Sequence, residues 1–276
     1  MKNLVTRTLT GIIFGASVVG AISFNPIAFV ILFAIFTALS VNEFHSLVKT
    51  DNTSKYWKAI QCLGGVYLFV STFLYAGGYC STHIMLPYVA FSMFVFIREL
   101  YAHAENPIKN WAISIFGQVY AALPFALMNF IIFHDTTTGE PQYTPILLLS
   151  LFVVIWINDT GAYFIGSQFG KHRLFERISP KKSWEGFYGG VIFACLASYA
   201  FHYFTPDIHW YQWMGFAMVI VAFGTWGDLI ESLLKRTVGV KDSGNILPGH
   251  GGILDRFDSV IMATPAAWIY IELFIR

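Results

Sequence analysis

The sequence predicts an all-α fold, a polytopic transmembrane helix bundle of about nine spans with its N-terminus on the cytoplasmic side. Three observations lead there. Of 276 residues, 56% are apolar and 12% are charged, whereas soluble chains average about 45–50% and about 25%. The apolar residues, with 27 Phe, 14 Tyr and 8 Trp among them, gather into runs long enough to approach the roughly 20 residues a crossing helix needs. Finally, the basic residues fall on alternate sides of those runs.

The runs cover residues 8–24, 27–41, 59–76, 84–97, 111–133, 145–157, 186–204, 210–227 and 257–275. Lys2 and Arg7 precede the first. Together with that run they resemble a secretory signal, but further spans follow, so the segment is expected to stay as a crossing helix. The connection near Asn25 has no basic residue, and the second run is followed by Lys49, Lys55 and Lys58. Residues 77–82 again lack Lys and Arg, and Arg98 and Lys109 follow the fourth run. Residues 134–144 lack them, and Lys171, Arg173, Arg177, Lys181 and Lys182 follow the sixth. Residues 205–209 lack them, and Lys235, Arg236, Lys241 and Arg256 follow the eighth. Sixteen of the 17 basic residues therefore lie on one side, and Arg276 alone lies on the other. Basic loops resist translocation, so that side is cytoplasmic and the C-terminus is outside. The second, fourth and sixth runs are short and are expected to extend, tilt or stop partway.

No soluble domain or internal repeat is evident. The chain reads as two regions, residues 1–140 and residues 141–276, the second carrying two polar cytoplasmic loops. Cys62, Cys80 and Cys195 are far apart and odd in number, which excludes a disulfide framework or a CxxC metal pattern. A net charge of +1 gives no sign of a nucleic-acid partner.

The two loops run over residues 158–190 and 228–258. Both have acids at their membrane junctions: Asp159 in the first, Asp228 and Asp258 in the second. Acids do not help orientation, and a carboxylate near hydrocarbon is costly, so each calls for a partner and a role. If span eight continues as a helix, Asp228, Ser232 and Lys235 share one face. The plainer reading is a helix end with Lys235 and Arg236 near its terminal carbonyls. Next come Lys241, Asp242 and a glycine-rich turn around His250, where glycine permits sharp turns and close approach to a ligand. Asp255 and Asp258 lie three apart on one helix face. They either cap the helix or hold a hard divalent ion, since Mg²⁺ favours one or two carboxylates plus substrate phosphates. Lys235, Arg236, Lys241 and Arg256 suit phosphate oxygens. Lys181 and Lys182, beside Ser179, Pro180 and Ser183, form a compact cationic site or a positive-inside anchor. His250 reads equally as a catalytic acid, a phosphate contact or a base contact. No Walker-type segment is present.

Residues 232–258 read Ser232-Leu-Leu-Lys235-Arg236, four residues, Lys241-Asp242-Ser-Gly, two residues, Leu247-Pro-Gly-His250-Gly-Gly-Ile-Leu-Asp255-Arg256-Phe-Asp258. This stretch resembles the signature of the phosphatidate cytidylyltransferases. Residues 158–166, beginning Asn158-Asp159, and residues 179–186, which include Lys181-Lys182-Ser183, resemble two further family segments; Ser183 stands where the family more often has Thr. The likeness is specific in the C-terminal half and generic in the first 140 residues.

The resemblance implies an integral membrane enzyme that converts phosphatidate and CTP to CDP-diacylglycerol and pyrophosphate. It implies Asp228, Asp255, Asp258, Lys235, Arg236 and His250 as catalytic groups. Asn158, Asp159, Lys181, Lys182, Ser183, Lys241, Asp242 and Arg256 are implied as substrate contacts. Mg²⁺ on Asp228, Asp255 and Asp258 is the expected cofactor. CTP, phosphatidate and membrane lipid are the expected partners, with a homodimer admitted and no nucleic acid, and a bacterial inner membrane is the expected location. The rival readings are a cytidylyltransferase for another lipid phosphate and a transporter.

Overall fold

A computed structural model describes residues 2–48, 54–135, 139–247, 249 and 251–276. The helices are α1 (Lys2–Phe24), α2 (Pro26–Leu47), α3 (Lys55–Ala76), α4 (Leu86–Tyr101), α5 (Pro107–Ala121), α6 (Leu123–Ile132), α7 (Ile146–Phe169), α8 (Trp184–His202), α9 (Trp210–Thr237) and α10 (Leu254–Phe274). A 3₁₀ turn, Thr82–Met85, leads into α4. The strands are β1 (Phe133–Asp135), β2 (Pro141–Tyr143), β3 (Arg173–Phe175) and β4 (Ser179–Ser183). They form two antiparallel hairpins, β1–β2 and β3–β4, a small departure from the all-α expectation.

Among the described residues, seven helical segments are long and apolar enough to cross a membrane. The 17-residue apolar part of α1, residues 8–24, and the 19-residue α8 account for the other two expected runs. The short runs extend, as anticipated: α2 and α7 reach 22 and 24 residues. The expected fifth span is two helices. Pro124 has no N–H to continue the backbone ladder, and α5 ends at Ala121 before α6 starts at Leu123. Helix starts follow local chemistry: Asn25, Ser54 and Asn106 each accept a backbone N–H at the start of α2, α3 and α5.

The largest correction concerns α7. Residues 158–169, expected in a loop, are helical. Asn158, Asp159 and Thr160 interrupt the apolar run for less than one turn, and Thr160 Oγ1 donates to the Trp156 carbonyl at 2.8 Å within the helix.

The chain divides into two compact units, one comprising residues 1–145 and 242–256, the other residues 146–241 and 257–276. In the first unit an aromatic cluster is built on Phe29, whose ring centroid lies 4.7 Å from Phe33 and 5.9 Å from Phe69. Amides join its helices. Gln118 Nε2 donates to the Gln61 carbonyl at 2.8 Å, and Asn129 Nδ2 donates to the Phe69 carbonyl at 2.9 Å. Lipid tails are as apolar as leucine, so helix association in a bilayer relies on such bonds and on small residues that let backbones approach. In the second unit α8 presents Gly189 and Gly190 to α7. A Cβ there would fall 2.5 Å from Ile165 and 2.3 Å from Asn158 Oδ1, respectively. Gly227 of α9 does the same for α10, where a Cβ would sit 2.5 Å from the Asp258 carbonyl.

Candidate active site

A cavity of about 550 Å³ opens in the second unit, lined by α7, the β3–β4 hairpin, the start of α8, and the polar stretches of α9 and α10. Asn158, Asp159, Lys181, Lys182, Ser183 and Asp228 line it, so six residues singled out from the sequence meet at one place. Arg173, Tyr163 and Phe187 line it as well.

The cavity is electrostatically mixed. Lys182 Nζ makes an ion pair with Asp228 Oδ2, and Ser232 Oγ donates to Asp228 Oδ1 at 3.2 Å. The helical face expected for Asp228 and Ser232 is therefore formed. Asp258 interacts electrostatically with Asp228, Asp159 and Lys182. Three acids thus share one neighbourhood with Lys182. Like charges in one neighbourhood repel, and Lys182 offsets part of that repulsion through its pair with Asp228. Lys181 is exposed at the rim.

The lysines are aimed by a local clamp. Ser183 is the N-cap of α8, its Oγ accepting the Gly186 N–H at 3.1 Å. Ser183 is thus occupied as a cap, a role worth about 1 kcal/mol, although it also lines the cavity. Glu185, in the first turn of α8, grips the hairpin's approach. Its Oε2 accepts the Lys171 N–H at 3.1 Å and the His172 N–H at 3.2 Å, and its Oε1 lies 2.6 Å from His172 Nδ1. Its own backbone N–H, and then His172, hold the Glu185 carboxyl down at about 2.

Other expected residues are engaged differently. Lys235, expected beside Asp228, instead donates to Glu231 Oε2 at 3.0 Å, and both are buried. A buried lysine one helical turn from a carboxylate satisfies its charge locally. Arg236 is exposed and donates to the Val240 carbonyl at 3.3 Å, closing the end of α9. Lys241, Asp242 and Arg256 are exposed. His250 lies outside the described residues.

In the first unit, Asp255 organises its own loop. Its Oδ2 accepts the Ser243 N–H at 2.7 Å, the Gly252 N–H at 2.8 Å and the Ser243 Oγ–H at 2.9 Å. These bonds tie Ser243 and Gly252 to the start of α10 rather than capping its first turn. Among the described residues, no group of three or more His, Cys, Asp or Glu side chains is gathered closely enough to hold a metal ion. Asp228 and Asp258 remain suitable hard-oxygen donors, because Mg²⁺ needs only one or two carboxylates when phosphates complete its shell.

Sequence reasoning noted Glu185 only as an acid that departs from a plain anchor reading of the lysine pair, and did not single out Arg173 or Glu43. The usable signal for Glu43 is an acid inside an apolar helix. Arg173 and Glu185 gave none beyond charge, because their roles depend on how the hairpin turns back.

The sequence matches the profile of the Cytidylyltransferase family over residues 5–274. A phosphatidate cytidylyltransferase of Haemophilus influenzae is 31% identical over 275 residues, covering 94% of this chain and 95% of the relative. Phosphatidate cytidylyltransferases of Staphylococcus aureus (strain COL) and Staphylococcus epidermidis (strain RP62A) are 44% and 45% identical over 140 residues, 50% of this chain. Those matches span about half (52%) of the length of the staphylococcal relatives.

Proposed function

The chain belongs to the cytidylyltransferase family, and from that premise we propose that it joins the CMP moiety of CTP to phosphatidate, giving CDP-diacylglycerol and pyrophosphate. The observation that carries this reading is the cavity in which Lys181, Lys182 and Arg173 face Asp159 and Asp228 beside aromatic and glycine-rich walls. A phosphate oxygen of phosphatidate attacks the α-phosphorus of CTP. A new P–O bond forms, the α–β bridging P–O bond breaks, and pyrophosphate departs with the electron pair. The nucleophile is already anionic, so no strong general base is required. Catalysis then rests on positioning and charge neutralisation.

Lys181, Lys182 and Arg173 meet the phosphate oxygens and offset the charge of the leaving pyrophosphate. Asp228 holds Lys182 in place through their ion pair. We assign Mg²⁺ to Asp228 and Asp258, with Asp159 nearby, where it would neutralise the triphosphate and polarise the reacting phosphoryl group. Asp255 is assigned to the loop instead, because one of its oxygens already accepts three hydrogen bonds. Tyr163 and Phe187 supply flat apolar surface for a base or an acyl chain.

The topology belongs to the same proposal: nine crossings of a cell membrane, N-terminus inside, and a cytoplasmic site that CTP reaches while the lipid tails stay in the bilayer. The alternation of basic loops supports it. The test uses purified protein in lipid nanodiscs with CTP, Mg²⁺ and, separately, phosphatidate, an isoprenoid phosphate or no lipid. A CDP-lipid formed only with phosphatidate supports the reading. Product with the isoprenoid phosphate alone reassigns the substrate, and no product with any lipid refutes it.

A further inference from the structure

Glu43 lies near the C-terminal end of α2, only 4% exposed. A carboxylate within an apolar helix is costly unless hydrogen bonds replace its water. Glu43 finds those bonds some 200 residues along the chain. Its Oε1 accepts the Ile253 N–H at 2.9 Å. Its Oε2 accepts the Leu254 N–H at 2.9 Å and lies 3.2 Å from Ser243 Oγ, whose one proton it shares with the nearer Asp255 Oδ2. Leu254 opens α10, so Glu43 satisfies donors at a helix start, the end where negative charge is favoured. Ser243 lies between Glu43 and Asp255, with its Oγ within 3.2 Å of the first and 2.9 Å of the second.

The same side chain accounts for two glycines of the signature. A Cβ on Gly244 would fall 2.6 Å from Glu43 Oε1, and one on Gly252 would fall 2.3 Å from Oε2. A free glutamate tip would swing aside at little cost. Here two backbone N–H groups hold it, so moving it strands buried donors, at about 1–3 kcal/mol each.

We propose that Glu43 is a positioning residue for the cytidylyl transfer, a buried template that holds residues 242–244 against residues 252–255 of the signature loop. The proposal rests on the cytidylyltransferase reading. The loop carries Asp242, Asp255 and Arg256, and α10 runs on from it to Asp258. The N-terminal region therefore contributes a specific group to the reaction as well as membrane-spanning bulk.

The test compares Glu43→Ala, Glu43→Gln, Gly244→Ala and the Glu43→Ala/Gly244→Ala double variant in nanodiscs. It reads kcat, KM for CTP and amide exchange across residues 242–256. Glutamine turns an N–H₂ group toward an N–H donor, so both Glu43 variants are expected to lose about 10²-fold in kcat, with KM changed by less than about 3-fold. Exchange should speed up in the loop and stay unchanged in α7 and α8. Gly244→Ala should impair the wild type yet add little to Glu43→Ala, since the three atoms nearest that Cβ all belong to the Glu43 side chain beyond its Cβ. If Glu43→Ala fails to insert, Gly244→Ala, which keeps the charge, carries the same readouts. Wild-type kcat and exchange in the Glu43 variants, or a fully additive Gly244→Ala, overturns the proposal. If the wild type makes no CDP-lipid, the reaction reading falls, and the exchange data alone then decide whether Glu43 templates the loop.

Discussion

At the scale of single residues, the two adjacent lysines face different tasks. Lys182 is tied to Asp228, while Lys181 is exposed on the cavity rim. Removing a preorganised charge donor costs about 10²–10³-fold in turnover where it meets developing charge. We therefore expect Lys181→Ala/Lys182→Ala to fall by at least about 10²-fold in kcat/KM for CTP, with unchanged membrane yield. Wild-type kinetics would reduce the pair to a topological anchor. Asp228→Asn keeps the shape and removes the charge, so it should lose both the Lys182 pair and the response to Mg²⁺ titration. The Glu185 carboxyl titrates near 2 rather than 4.5. A depressed carboxyl stabilises the fold above its unfolded value and stops doing so as pH falls through its folded value. The exchange protection of residues 171–172 should therefore hold above about pH 4.5 and fade as pH falls toward about 2. In Glu185→Gln it should be weak at neutral pH, and a protection profile that does not move with pH would exclude the clamp. Lys181, Lys182, Asp228 and Asp159 were legible in the sequence because charge at a membrane junction is expensive and so stands out. Glu185 and Glu43 were not, because their partners are backbone N–H groups whose approach no spacing rule encodes.

At the scale of elements, the contact between α7 and α8 fixes Asn158 and Asp159. A Cβ on Gly190 would meet Asn158 Oδ1 at 2.3 Å and the Asn158 backbone oxygen at 3.0 Å. Backbone cannot swing aside, so Gly190→Ala should overpack the contact by about 1–3 kcal/mol. It should also lower activity by displacing Asp159. Gly20→Ala is the control, because its nearest neighbour is Phe24 at 3.8 Å, and its melting temperature should match the wild type. Equal melting temperatures and activities for both variants would contradict the role given to this contact. Helix identity was legible from the apolar runs. The continuation of α7 through Asn158-Asp159-Thr160 was not, since a polar turn reads as a loop until the glycines of α8 are seen packed against it. The β3–β4 hairpin was hidden for the same reason, its strands being only three and five residues long.

At the scale of the whole molecule, the proposed cytoplasmic site rests on the alternation of basic loops. Cysteines placed at Asp207 should react with an impermeant reagent from outside intact cells, and cysteines at Ser179 only after permeabilisation. The reverse pattern would remove CTP from reach of the site. The grouping of residues 242–256 with residues 1–145 could not be read from the sequence, because it depends on bonds between residues about 200 positions apart. The central claim is that the α-phosphoryl group of CTP is transferred, with its nucleoside, to a lipid phosphate. The most direct measurement supplies purified protein with phosphatidate, Mg²⁺ and CTP labelled at either the α- or the γ-phosphorus, and follows the label into the lipid phase. The account predicts that α-label enters the lipid while γ-label leaves as pyrophosphate. Transfer of γ-label to lipid would mean kinase chemistry, and label from neither position would mean that this cavity does not perform the transfer.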